Sequence, residues 1–163
     1  MKRFLPIILV LVTLLLDLSV VPMIAIHWAV PLLLLPTVIV LGLLLGRTRG
    51  LLYGMIGGLL VDILAGYPMG FMAILYMLLG YLAGLSGRKF QRYLLTVVMT
   101  PLVCLSIFEI SMAVYQFISG QQMTLDNLVQ ALARIGIETV LAQFMYLLYN
   151  RLLRPTWQRY AGR

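Results

Sequence analysis

The sequence predicts an all-α polytopic membrane protein with a single integral domain over residues 1–163. Hydrophobic residues make up 63% of the chain and charged residues only 10%, whereas a soluble domain is about half apolar and about a quarter charged. So few polar side chains cannot cover a soluble globule, and most of the surface is therefore expected to face membrane lipid. The apolar residues also fall into long runs separated by short basic clusters, which is typical of repeated membrane crossings.

Six membrane-spanning helices are predicted from these runs. The first helix follows Lys2 and Arg3 and has no small-residue cleavage site behind it, so we expect an uncleaved helix and not a signal peptide. Pro36 is expected to kink the second helix and Pro101 to bend the fifth. The spans are expected at about residues 4–21, 29–45, 50–65, 70–86, 93–118 and 132–153.

The last apolar region is longer than one crossing requires. Its helical pattern continues from about residue 125 to residue 153, which at ~1.5 Å per residue is more than about 40 Å and exceeds a ~30 Å hydrocarbon core. The sequence therefore predicts a separate interfacial helix over 125–131, with a bend near Gly136 at the start of the sixth span.

Basic residues predict the orientation. With six spans, one side of the membrane holds nearly all of them, and the connections on the other side hold none; Arg134, inside the sixth span, is the exception. This asymmetry places both termini in the cytoplasm and accounts for the net charge of +7 without a nucleic-acid partner. The cytoplasmic set is Lys2, Arg3, Arg47, Arg49, Arg88, Lys89, Arg92, Arg151, Arg154, Arg159 and Arg163.

Glycines predict where helices pack closely. Three glycines recur at every fourth position of the third helix, and Asp62 follows at the same spacing, so all four lie on one helix face. Small residues at this spacing let membrane helices approach each other. A Gly/Pro turn over 66–70 then closes a hairpin, which leaves Asp62 near its tip and facing protein. The predicted packing glycines are Gly50, Gly54, Gly58, Gly80 and Gly84.

Five charged side chains lie within the predicted spans, where each is costly unless it is paired or hydrated. All five are expected in the outer half of the membrane, and three of them are expected to form an ionic cluster between the fifth and sixth helices. One interpretation is that these charges only lock helix packing; the other is that they line a pocket or a partner surface. The five are Asp17, Asp62, Glu109, Arg134 and Glu138, of which the last three form the predicted cluster.

The sequence contains no known catalytic motif, such as HExxH, GxSxG, a Walker lysine loop or CxxC. Cys104 is the only cysteine and is expected to be a packing residue, while His27 is the only histidine and is expected at a membrane boundary beside Trp28. We therefore expect no enzymatic activity, no cofactor and no metal.

The stretch from Gly50 to Ala73 resembles the MreD family of bacterial rod shape-determining proteins. The shared pattern is a glycine-spaced helix, an aspartate among apolar residues, a short Gly/Pro turn, and Gly and Ala at the start of the next helix. The matching residues are Gly54, Gly58, Leu59, Asp62, Ile63, Leu64, Gly66, Pro68, Gly70 and Ala73.

The resemblance implies a subunit of the cell-elongation complex of the inner membrane, which supports cell shape and side-wall peptidoglycan synthesis. It implies the bitopic protein MreC as partner, together with MreB, a SEDS glycosyltransferase and a penicillin-binding transpeptidase. The first or second helix could receive the membrane helix of MreC on an exposed aliphatic face. Asp62 and the turn at Tyr67 and Pro68 are further candidates for the contact.

A more distant resemblance, to the S subunits of energy-coupling-factor transporters, implies an alternative. In that case the chain would bind a small vitamin-type ligand, and the outer-half charges are compatible with such a pocket. However, the first helix is bulky and aliphatic and lacks the Ala-x-x-x-Ala signature with which S subunits dock on their transport module. The partner-binding function is therefore preferred.

Overall fold

A computed structural model describes residues 5–19, 32–65, 68, 70–90, 94–120 and 125–157 of the chain. All regular structure within these ranges is α-helical, which confirms the all-α prediction. The described helices are α1 (Leu5–Ser19), α2 (Leu34–Leu45), α3 (Arg47–Ala65), α4 (Phe71–Phe90), α5 (Leu94–Ile118) and α6 (Leu125–Trp157).

Helix α2 lies at the centre and packs against each of the other five described helices. Its sequence is apolar on every side, as expected for a helix that is surrounded by protein, and all residues from Leu34 to Leu44 are buried. Tyr76 of α4 and Phe108 of α5 pack edge to face beside it, with ring centroids 6.0 Å apart. The core therefore forms around α2, and the longer helices surround it.

Two predicted helix features are wrong. Helix α2 begins at Leu34, so Pro36 lies in the first turn, where no helical N–H is lost and no preceding turn can be kinked. Helix α6 runs unbroken through Gly136, so residues 125–131 are its first turns and not a separate interfacial segment. In addition, α3 begins three residues before its predicted start, and α4 ends four residues after its predicted end.

Two described helices are long and apolar enough to cross a membrane, over Leu95–Ile118 and Asp126–Leu152. The other apolar helices are shorter, and α2 has only 12 residues. At ~1.5 Å per residue such a helix covers about 18 Å, less than a ~30 Å hydrocarbon core. Length and composition thus identify two spans, and the six-span arrangement stays a prediction.

Helices α3 and α4 form the most extensive helix contact, and their glycines lie within it. A Cβ atom added at Gly54 would collide with the backbone carbonyl of Tyr76, and one at Gly58 would collide with the backbone of Ala73. Neither obstacle can move aside, because both are main-chain atoms. Similar backbone collisions would occur at Gly50, Gly80 and Gly84. The two helix backbones therefore touch along their length, as in other small-residue membrane contacts.

We expect Gly54→Ala to destabilise the protein by about 1–3 kcal/mol, because the added methyl group forces α3 away from α4. Thermal unfolding of the purified protein in detergent measures the effect. Gly57→Ala on the same helix is the matched control, since its Cβ would meet only side-chain atoms at 3.5 Å or more. If both variants unfold at the wild-type temperature, the backbone contact does not support the fold.

Candidate functional site

Asp62 joins the two helices of the hairpin. Its side chain is buried, and its two carboxylate oxygens accept hydrogen bonds from the backbone N–H groups of Gly70 (2.9 Å), Met72 (3.0 Å) and Ala73 (3.1 Å). The N–H groups of a first helical turn have no carbonyl partner within their own helix. Asp62, on α3, therefore caps the N-terminus of α4.

A second cap lies at the N-terminus of α2 and uses two carboxylates. Asp17 of α1 accepts from the N–H groups of Leu33 (2.7 Å) and Leu34 (2.9 Å). Glu138 of α6 accepts from the N–H of Leu32 (3.0 Å). Three successive N–H groups at the start of α2 are thus satisfied by side chains from two other helices.

Both caps follow from the same physical requirement. A buried N–H group without an acceptor costs about 1–3 kcal/mol, and the positive end of the helix dipole favours a nearby carboxylate. Asp62 stood out in the sequence because it follows the glycines at four-residue spacing and precedes a Gly/Pro turn, but its capping role was not predicted. The contact of Glu138 with Leu32 had no such signal, since the two residues are 106 positions apart.

Glu109 and Arg134 form an ion pair between α5 and α6. The Arg134 Nε atom lies 3.6 Å from the Glu109 Oε1 atom, and the two side chains are 29% and 12% exposed. The predicted contact of these two residues is therefore present. Glu138 was expected in the same cluster, but within the described chain it forms no ion pair with Arg134 and binds the backbone of Leu32 instead.

The hydrogen bonds of the buried carboxylates bear on whether these groups serve packing or binding. Asp17, Asp62 and Glu138 are engaged by backbone N–H groups, which favours the packing interpretation of the intramembrane charges. The described residues contain no group of three His, Cys, Asp or Glu side chains that could hold a metal ion. Cys104 is buried, and Tyr67 and His27 lie outside the described residues.

Large apolar side chains remain exposed on every described helix except α2. Helix α1 exposes an aliphatic stripe that includes Leu11 and Leu15, as the sequence predicted. Helix α2 is buried, so the suggestion that it receives a partner helix is wrong. Much of α5 and α6 is also exposed, including Ile110, Val114, Phe117, Leu132, Ile137, Val140, Phe144 and Leu147. Pro68 is exposed at the hairpin tip.

Asp62→Ala is expected to lower the free energy of unfolding by about 2–4 kcal/mol, because it leaves three N–H groups of the hairpin without their acceptor. Asp62→Asn keeps one side-chain oxygen and should lose less. Thermal unfolding in detergent compares them with Asp126→Ala, which removes an exposed acid from the first turn of α6. Equal losses for Asp62→Ala and Asp126→Ala would contradict the capping role.

Arg134→Ala is expected to destabilise the protein by about 1–3 kcal/mol, because Glu109 then keeps a mostly buried negative charge without a partner. Adding Glu109→Gln removes that charge and should restore part of the loss. The same unfolding measurement, made on both single variants and the double variant, gives the coupling between the residues. Strictly additive effects would show that the pair does not interact.

Comparison with known proteins identifies one family. The family described as rod shape-determining protein MreD matches residues 1–155. No curated protein and no solved structure gives a significant match. The matched region contains the Asp62 hairpin, both capped helix ends and the Glu109–Arg134 pair. As the resemblance around Gly50 to Ala73 predicted, the chain belongs to the MreD family of rod shape-determining membrane proteins.

Proposed function

We propose that this protein is a non-enzymatic, multi-pass subunit of the cell-elongation complex in the bacterial inner membrane. It binds MreC and works with MreB, a SEDS glycosyltransferase and a penicillin-binding transpeptidase to support side-wall peptidoglycan synthesis. The observation that carries this proposal is the family match, because it covers residues 1–155 of a 163-residue chain. A role in rod-shape determination follows from membership of the family, whereas these partners are inferred.

The packing of the chain supports a scaffold function. Asp17, Asp62 and Glu138 hold helix ends in place, which supports a structural role for these carboxylates. The exposed aliphatic faces of α1, α5 and α6 are wide enough to pack against another membrane helix. Pro68 is exposed, and the proposed topology puts the capped hairpin tip on the outer side of the membrane, where a bitopic partner carries residues that would contact it. Asp62 would then act on MreC indirectly, by shaping the turn.

The proposed topology has six spans with both termini in the cytoplasm. Arg47 and Arg49 lie at the junction of α2 with α3, and Arg151 lies near the end of α6. These positions agree with one basic side of the membrane.

The vitamin-binding alternative gains no support from the site. It relied on outer-half carboxylates that were free to contact a ligand. Asp17, Asp62 and Glu138 bind backbone N–H groups, and Glu109 faces Arg134. A ligand would have to displace a helix cap to reach Asp17, Asp62 or Glu138, and would have to compete with Arg134 for Glu109.

Deleting the gene and restoring it on a plasmid tests the function. We expect the deletion to convert rods into round cells, and the wild-type chain to restore the rods and to co-purify MreC. Rod-shaped cells that require a vitamin would instead support transport. A reporter fused after Arg163, active only in the cytoplasm, tests the topology separately. Its inactivity would overturn the six-span arrangement without affecting the shape result.

Pro68→Arg is the sharper variant for the MreC contact, because it changes an exposed residue and leaves the Asp62 cap in place. We expect it to reduce MreC co-purification while the unfolding temperature stays near the wild-type value. Leu15→Arg on the exposed face of α1 tests the second candidate surface in the same assay. Normal MreC recovery with both variants would direct the search to other surfaces.

A further inference from the structure

The ion pair of Glu109 and Arg134 is incompletely satisfied within one copy of the chain. A guanidinium group carries five N–H donors and a carboxylate can accept several hydrogen bonds. Here the Arg134 Nε atom and the Glu109 Oε1 atom are 3.6 Å apart. At this distance the opposite charges attract each other, but the atoms are too far apart for a hydrogen bond. The buried Nε atom of Arg134 makes no hydrogen bond, and Glu109 accepts none from the described residues.

The position of the pair along the helices limits which groups could supply its missing hydrogen bonds. Glu109 lies nine positions before the end of α5 at Ile118, and Arg134 lies nine positions after the start of α6 at Leu125. At ~1.5 Å per residue both distances are about 14 Å, so the pair lies well inside both apolar spans. Lipid phosphates and bulk water lie outside the hydrocarbon core. Polar groups of another protein surface within the membrane are suitable partners for the unsatisfied atoms.

We propose that a second copy of this chain supplies them. In a twofold arrangement the same surface meets itself, so Arg134 of each copy donates hydrogen bonds to Glu109 of the other. The resulting group of two arginines and two glutamates is neutral and satisfies both donors and acceptors. A second copy is favoured because the surface is self-complementary: it carries both the donor, Arg134, and the acceptor, Glu109, that the pair requires.

The surroundings of the pair permit a close approach. Ala113 lies one helical turn beyond Glu109 and is small, which favours helix contact within a membrane. Ile137 lies one turn beyond Arg134 and is 43% exposed. Helix α6 is also widely exposed, and large apolar side chains such as Leu132 and Val140 are open on its surface. A second copy would cover apolar surface around the charged group.

A charge exchange between differently tagged copies tests this pairing. Arg134→Glu alone places two negative groups together, and Glu109→Arg alone places two positive groups together, so neither variant should associate with itself. When both are made in one cell, each copy carries the charges that complement the other. We expect co-purification of the two tags to recover toward the wild-type level in the mixture alone. No recovery, or wild-type self-association of either variant, would overturn the proposal.

Disulfide cross-linking keeps the ion pair intact and does not depend on the folding of the charge-reversed variants. Cys104→Ser first removes the only native cysteine. Single cysteines at Ala113 and Ile137 should then give several-fold more cross-linked dimer in native membranes than a cysteine at Leu15 on exposed α1. Equal cross-linking at Leu15, or none at the two α5 and α6 positions, would show that the copies do not meet there.

Discussion

Helix α2 begins inside the protein, so its first backbone N–H groups have to find acceptors there. Asp17 and Glu138 provide them, and Asp62 does the same for α4. An unsatisfied N–H group costs about 1–3 kcal/mol in such surroundings, and the helix dipole adds to the preference for a carboxylate. Because the three acids belong to α1, α6 and α3, each cap also fixes the position of one helix relative to another. The buried charges, which are otherwise unfavourable in a membrane, thus determine how the bundle is assembled.

The packing among α2, α3 and α4 differs from the packing of α5 and α6. Helices α2, α3 and α4 pack backbone against backbone, and the glycines leave no space between them. Helices α5 and α6 are long and apolar, and they keep wide faces exposed around the Glu109–Arg134 pair. This division agrees with membership of a family of shape-determining proteins and requires no catalytic group.

The parts of this arrangement that could be predicted from sequence are the local ones. Glycines at every fourth position and Asp62 on the same face identified the α3–α4 hairpin, because helix periodicity alone brings those residues together. The Glu109–Arg134 contact followed from their similar depth in consecutive helices. The start of α2 could not be predicted, since Pro36 is compatible with both a kink and a first turn, and only tertiary contacts decide between them. The role of Glu138 was missed for the same reason, because it acts on a helix end whose position was not yet known.

The caps also differ in when they can form. The ribosome delivers the chain from its N-terminus, and the partners within the hairpin are at most 11 residues apart. That unit is complete as soon as α4 has emerged. The N–H group of Leu32 can bond to Glu138 only after a further 106 residues have been synthesised. Helix α6, the last of the described helices, therefore completes the cap on α2. Until synthesis has passed Glu138, the N–H group of Leu32 lacks this acceptor.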